Sequence, residues 1–271
     1  MKFYSKSFVL LLISLILVNC QKKSSTNKNP ISEVAEKWAP LFNGKDLDNW
    51  TVKINGHPLN ENIHNTFRVE DGVMKVSYDG YEKFGKSYGH IFYKHPYSNY
   101  RLKLQYRFIG EQVADGQEWA LKNSGVMIHS QSPQSMGLHQ EFPISLEVQL
   151  LGGLQEGVQR PTGNLCTPGT HVMMNNELIT KHCIDSSSET YYGEEWIDLE
   201  ILVSNDSLIS HMINGKEVIR YSKPTLGGEF LIDAKEWKSK IGKSVTKGYI
   251  ALQSESHPIE FRKIELLELV D

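Results

Sequence analysis

Cysteine is scarce in this chain, with three in 271 residues. No two of them form a CxxC pair and no HExxH stretch occurs, so neither sharp zinc signature is present. An excess of charge of one sign is missing too. The 29 Lys and Arg against 32 Asp and Glu leave a net charge of −3 and a pI near 6.4. That balance excludes a dense phosphate-neutralising surface, and nucleic acid as a partner with it. Helical periodicity is nearly absent: "EVAEKW" (33–38) and "DAKEWKSKI" (233–241) are at most short turns. No internal repeat appears, and without a βαβ rhythm there is no basis for an α/β fold.

The longest apolar run, Phe8–Val18, follows the basic residues Lys2 and Lys6. It is too short to span a bilayer as a helix but suits a secretory signal. It ends at Cys20, and the polar stretch "QKKSSTNKNP" follows. This arrangement resembles a bacterial lipoprotein signal, in which the Cys becomes the lipidated first residue. Acyl chains contribute about 0.8 kcal/mol per buried methylene, so a multiply acylated Cys20 would anchor the protein. The expected organisation is a signal peptide over 1–19, a tether over 20–39 and a single domain over 40–271. The expected location is the cell envelope, on the periplasmic or outer-membrane face. Export fits the two remaining cysteines, Cys166 and Cys183, whose spacing suits a disulfide in an oxidising compartment. Two reduced buried thiols, or a zinc site with His171 or His182, are the alternatives.

Twelve Tyr, ten Phe and five Trp lean towards β structure. From Leu41 onward, short alternating runs are separated by turns. "TFRVEDGVMKVSY" reads as a hairpin turning at Asp71-Gly72, and "SLISHMINGKEVIRYS" as one turning at Asn214-Gly215. "YRLKLQYRFIG", "NSGVMIHS", "ISLEVQLL" and "WIDLEILVS" alternate between them, and "KGYIALQSESHPIEFRKIELLEL" ends the chain with a pair of strands. About ten strands without helices predict an antiparallel sandwich. In "ISLEVQLL", Ile144, Leu146, Val148 and Leu150 share one face of the strand. Glu147 and Gln149 lie on the other, where a curved sheet would offer a groove.

Five segments then occur in the order found in one family. They are "LFNGKDLDNW" (41–50), "NSGVMIHS" (123–130), "LEVQLL" (146–151), "INGKEVIRY" (213–221) and "GYIALQSESHPIEFRKIEL" (248–266). Together they resemble the 3-keto-disaccharide hydrolase domain family across roughly residues 40–270, and "RPTGNLCTPGT" (160–170) is similar to a version found in exported members. The resemblance implies an all-β jelly roll of the concanavalin and glucanase type. It also implies cleavage of glycosides carrying a ketone at sugar C3, by hydrolysis or by elimination followed by hydration. Such a reaction needs a base, an acid and a group polarising the C3 oxygen.

For these roles Glu147 and His129 are the expected catalytic pair. Gln149, Gln253, Arg101, Arg107 and Trp119 are expected to bind substrate, and Glu141, His139, Glu255, His257 and His171 are candidates around the rim. Arg101 and Arg107 could equally pair with carboxylates, and Trp119 could be core packing. No cofactor is assigned, and Glu141, His129 and Glu147 offer mixed oxygen and nitrogen ligands for a divalent metal. Two other readings fit a sandwich: a carbohydrate-binding module without chemistry, and a conventional glycosidase, which needs a second carboxylate facing Glu147.

Overall fold

The computed structural model describes residues 1–3, 37–228 and 235–270. The expected signal peptide, Cys20 and the tether through residue 36 lie outside the described residues. The chain divides into two units, Met1–Ala35 and Glu36–Asp271, and the second carries the fold.

In chain order the strands begin with β1 (Ala39–Pro40), β2 (Trp50–Ile54), β3 (Phe67–Glu70), β4 (Val73–Val76), β5 (Gly89–Tyr93) and β6 (Asn99–Phe108). There follow β7 (Asn123–Ser130), β8 (Leu146–Leu151), β9 (Asn164–Cys166), β10 (Thr170–Met174), β11 (Glu177–Ile179) and β12 (Cys183–Ile184). The last are β13 (Ile197–Ser204), β14 (Leu208–Ile213), β15 (Lys216–Leu226), β16 (Tyr249–Ser254) and β17 (Ile259–Glu268). One short helix, Lys235–Lys238, is present within "DAKEWKSKI".

The strands form two antiparallel sheets. One runs β11-β10-β15-β14-β13-β6-β17-β4-β3, with β1 also on β17; the other runs β12-β9-β8-β7-β16-β5-β2. The sheets share one core, so the fold is an all-β sandwich of the jelly-roll type. Tyr100, Leu102, Leu104, Tyr106 and Phe108 face inward from β6, meeting Leu146, Val148 and Leu150 of β8. Burying each large apolar side chain is worth roughly 1.5–3 kcal/mol. A one-residue slip of β8 would forfeit that and drive Glu147 inward, so the register is strongly specified.

Both predicted hairpins form. Asp71 and Gly72 have φ 49° and 79°, and Asn214 and Gly215 have 48° and 78°, the positive angles a tight two-residue hairpin requires. The final two strands are not a hairpin pair. β16 lies in the seven-stranded sheet and β17 in the other, so Glu255–Pro258 is a corner between layers. The domain also starts ahead of residue 40, with Ala39 opposite Leu266 and the Trp38 ring 3.9 Å from the Lys103 ammonium.

Cys166 and Cys183 are joined in a disulfide that ties β9 to the edge strand β12. In the chain-entropy model a loop of this size contributes ~3 kcal/mol.

Candidate active site

The outer face of the seven-stranded sheet carries two adjacent rungs of contrasting chemistry. Along one, Asn164 stands opposite Gln149 and Gln149 opposite Gly125; further across, Gln253 stands opposite His90 and His90 opposite Lys53. The ladder of β16 on β7, with Ala251 opposite Met127, carries Gln253 alongside Gly125. Along the neighbouring rung Glu147 lies between Cys166 and Met127, and Phe92 and Ala251 continue the row. Met127, Ala251 and Phe92 pack with Met136 into a small apolar cluster. The polar rung thus lies buried beside a dry wall.

Glu147 leans diagonally out of its own rung. A Cβ built on Gly125 would lie 2.6 Å from Glu147 Oε1 and 3.0 Å from its Cδ, so the carboxyl occupies the space the glycine leaves. Glu255, just past β16, faces the same site. Burial raises the proton affinity of both carboxyls. For Glu255 the charge of Glu147 raises it further and the Arg160 guanidinium opposes the rise. Two like charges in a low-dielectric site disfavour joint ionisation, so burial and the neighbouring carboxylate both favour holding protons here. Arg160 is held by its own bonds, Nη1 donating to Gly152 O at 2.6 Å and Lys122 O at 3.1 Å.

Around the carboxyls lie buried polar atoms with no partner within the protein. They include both nitrogens of His90 and of His257, both side-chain polar atoms of Gln253, Glu255 Oε2 and Asn123 Oδ1. Burying such a group unpaired costs about 1–3 kcal/mol, and folded proteins concentrate these costs where a ligand binds. Burial lowers the imidazole pKa of His90 to about 3 and of His257 to about 4, with nearby cations adding to the effect. Both rings are therefore neutral, each offering one donor and one acceptor. Lys53 Nζ, by contrast, donates to Ile54 O, His57 O and Leu138 O and fastens the 131–145 loop to β2.

Aromatic rings pack beside the polar rung, with Phe142 6.3 Å from the His90 ring. Trp119, half-exposed, stacks on Tyr88 with centroids 6.1 Å apart and planes at 12°, and Phe142 lies 5.0 Å from Tyr88. Burial, and then the nearby charges of Glu255 and Glu141, disfavour the Tyr88 phenolate.

The structure therefore gathers Glu147, Gln149, Gln253, Glu255 and His257, with Trp119 and Glu141 at the margin. Glu141 faces Lys86 at 3.8 Å, and His139 sits exposed on the same loop. Several expected residues stand elsewhere. His129 does not join Glu147: a bulge with φ 48° turns its ring so that Nε2 meets Asn205 O, in the β13–β14 turn of the opposite sheet, at 2.9 Å. Burial lowers its pKa. Arg101 and Arg107 point away on the outer face of the ten-stranded sheet. There they bond Glu200 at 2.6 Å and Glu260 at 2.7 Å and lie over Trp38 and Trp196. Their salt-bridge role, not the substrate-binding one, is what the fold uses. His171 belongs to that sheet too, opposite Thr225 and against Gly227.

With His129 turned away, Glu141, His129 and Glu147 do not assemble a metal site. Among the described residues, Cys166, His182 and Cys183 bring three donor atoms within 4.8 Å of one another, a set able to hold a divalent metal. Here the two sulfurs are bonded to each other, so that set ligates only when reduced.

His90, Arg160, Asn164 and Asn123 are site residues that pattern reading missed. "GHIFY" alternates as cleanly as "LEVQLL", placing His90 and Phe92 opposite the core residues Ile91 and Tyr93, and that signal was available. Arg160 lies in a loop and carries no periodic signal.

A family model for the 3-keto-alpha-glucoside-1,2-lyase-like domain matches residues 37–267. The chain belongs to this family. It is accordingly a carbohydrate-acting enzyme of the hydrolase or lyase type, directed at 3-keto sugars. No curated protein matches the chain. Two crystal structures of provisional glycosyl hydrolases from Parabacteroides distasonis ATCC 8503 share the fold. One is 22% identical, covers 86% of this chain and 100% of its own, and superposes with a TM-score of 0.50. The other is 20% identical over 87% and 95%, with a TM-score of 0.51. The carbohydrate-binding module CBM66 from Bacillus subtilis, 9% identical over 81% and 96%, reaches only 0.45.

Proposed function

We propose that this 3-keto-sugar enzyme cleaves its glycosides by elimination, with Glu147 as the base and Glu255 as the acid. The observation that carries this reading is the pair of buried carboxyls on one sheet face, ringed by unpartnered amide and imidazole groups. A C3 ketone acidifies the proton on C2. Glu147 removes that proton, and the electron pair becomes an enolate with its charge on the C3 oxygen. The enolate then collapses to a C1–C2 double bond, the C1–O bond breaks, and the departing oxygen takes the proton of Glu255. Water next adds its oxygen to C1 and gives a proton to the Glu255 carboxylate, while Glu147, its proton exchanged with solvent in the meantime, protonates C2. Both carboxyls are restored and the net change is hydrolysis.

The electrostatics suit this division of roles. Glu255, raised by burial and by its neighbour, retains a proton to donate. Glu147, raised by burial, is a stronger base than an ordinary carboxylate near working pH. Neutral His90 and the Gln253 amide can donate to the enolate oxygen without first losing a proton. Gln149 is steadied by Asn164, whose Nδ2 donates to its Oε1 at 3.2 Å, and is available to a sugar hydroxyl.

The test is to incubate the purified protein with a 3-keto-disaccharide and with its unoxidised parent, with and without chelator, following products by mass spectrometry. Cleavage confined to the oxidised sugar, with deuterium from heavy water appearing at C2, is the expected result. A conventional glycosidase is the second reading, favoured by the same carboxyl pair now that Glu255 supplies the partner Glu147 needed. Cleavage of the parent sugar would establish it, and binding without turnover would instead mark a carbohydrate-binding module.

The location belongs to the same proposal: an envelope protein held by lipid on Cys20. The signal-like leader and the extracytoplasmic style of the Cys166–Cys183 disulfide support it. Cys20→Ala should shift the protein from the membrane fraction to the soluble one. Equal membrane retention of variant and wild type would refute the anchor.

A further inference from the structure

Two cysteines complete the row that carries Glu147. Cys183 stands opposite Cys166 and Cys166 opposite Glu147, with Met127 on the other side of the carboxyl. Residues paired across antiparallel strands point to the same face, with Cβ atoms about 4.5–5.5 Å apart. The disulfide therefore lies on the face that holds the carboxyl pair, between Glu147 and the edge of the sheet formed by β12. Glu147 leans away from it, toward Gly125. Cys166 is 1% exposed and Glu147 7%, whereas Cys183 is half-buried and His182 beside it is exposed. The row passes from dry to wet at this bond.

The edge it fastens is slight. β12 has two residues, below the usual strand length of about 3–10. The chain between the two cysteines leaves for the other sheet, where it forms β10 and β11, before it returns. On its return His182 O accepts from Thr167 N at 2.8 Å, and Ser186 N donates to Asn164 Oδ1 at 2.8 Å. Asn164 in turn donates to Gln149. The returning segment thus reaches both rungs, Glu147's through the disulfide and Gln149's through Asn164. Without a covalent tie, so short an edge opens at low free-energy cost.

We infer that the Cys166–Cys183 disulfide is a positioning element for catalysis, a backstop that keeps the Glu147 carboxyl dry and turned toward Gly125. The inference rests on the assignment of Glu147 as the base. With the bond broken, β12 opens, water enters the row from the edge, and the carboxyl can swing back toward it. Hydration returns it to an ordinary carboxylate, which is a weaker base. The other charged groups of the site, Glu255 and Arg160, and the neutral rings of His90 and His257 stand on elements that the disulfide does not tie.

Dithiothreitol takes the two sulfurs to thiols and leaves as its own cyclic disulfide, so the folded wild type can be assayed in both states. A chelator keeps the freed thiols and His182 from taking up metal. Cys166→Ala/Cys183→Ala, which carries neither thiol, is the second form to assay. In both, kcat for a 3-keto-disaccharide should fall at least about tenfold. The acid limb of kcat/KM against pH, set in the oxidised enzyme by the Glu147 value of about 8, should move at least about one pH unit lower. An unmoved limb with kcat within about twofold, in protein whose circular dichroism matches the oxidised form, overturns the backstop alone, even if Tm falls. Turnover by Glu147→Gln near the wild-type level overturns the base assignment, and this inference with it.

Discussion

Glu147→Gln should lower turnover of a 3-keto-glycoside by at least about a hundredfold while making the protein harder to melt at alkaline pH. The two effects share one cause. Burial holds the Glu147 carboxyl above its ordinary pKa range, so the folded chain keeps a proton that the unfolded chain has already released. Wherever the native state binds more protons, stability falls as pH rises. For Glu147 that loss begins near the unfolded carboxyl value of ~4.3 and is complete once pH exceeds the raised native value. A glutamine never ionises and so escapes it. Melting temperatures of wild type and variant should agree most closely below the unfolded carboxyl value of ~4.3, separate in the variant's favour as pH rises to about 8, and stay apart above it. Each kcal/mol recovered is worth roughly 2–4 °C in a domain of this size. A variant that retains full activity is fatal to the base assignment. A variant that melts lower than wild type at pH 8 is fatal to the claim that Glu147 is an energetic burden, the usual signature of a residue retained for function.

Gly125→Ala is the second large effect, and it separates position from presence. The added methyl would fall 2.6 Å from Glu147 Oε1 and 2.8 Å from its Cγ, distances at which something must move. What moves is the end of a flexible side chain, because the backbone around Gly125 is fixed by ladders on both sides. The carboxyl is displaced by about an ångström while the sheet survives. Misplacing a reacting group by that much can cost about a hundredfold in rate. Activity should therefore drop by about that factor, with a far-ultraviolet circular dichroism spectrum matching wild type. Near-normal activity in a folded Gly125→Ala protein would show that the carboxyl needs no such seat.

The two substitutions also mark how far alternation alone could be followed. Reading "ISLEVQLL" with period two correctly separated Leu146, Val148 and Leu150 from Glu147 and Gln149. The same reading of "NSGVMIHS" holds through Ile128 and then fails at His129, where the positive φ inverts the direction of the side chain and sends it to Asn205. A bulge inserts a residue without leaving a mark in the hydrophobic pattern. Arg101 and Arg107 fail for a different reason. Alternation shows that they leave the core from β6, but β6 belongs to the ten-stranded sheet, and a polar strand face looks the same on either layer. Glu255 was one rim residue among several until the corner between β16 and β17 turned it toward Glu147.

Local chemistry along the chain was enough to determine the β class, the two hairpin turns, the inward faces of most strands and the family. Each depends on neighbours within a few residues, or on motifs recurring in a set order. Which sheet each strand joined, which way the bulged His129 faced, and which second acid came to lie beside Glu147 were decided only by the closing of the sandwich. These follow from contacts between residues far apart in the chain, 76 positions for His129 and Asn205, and Glu147 and Glu255 influence each other strongly only because burial strips water from both.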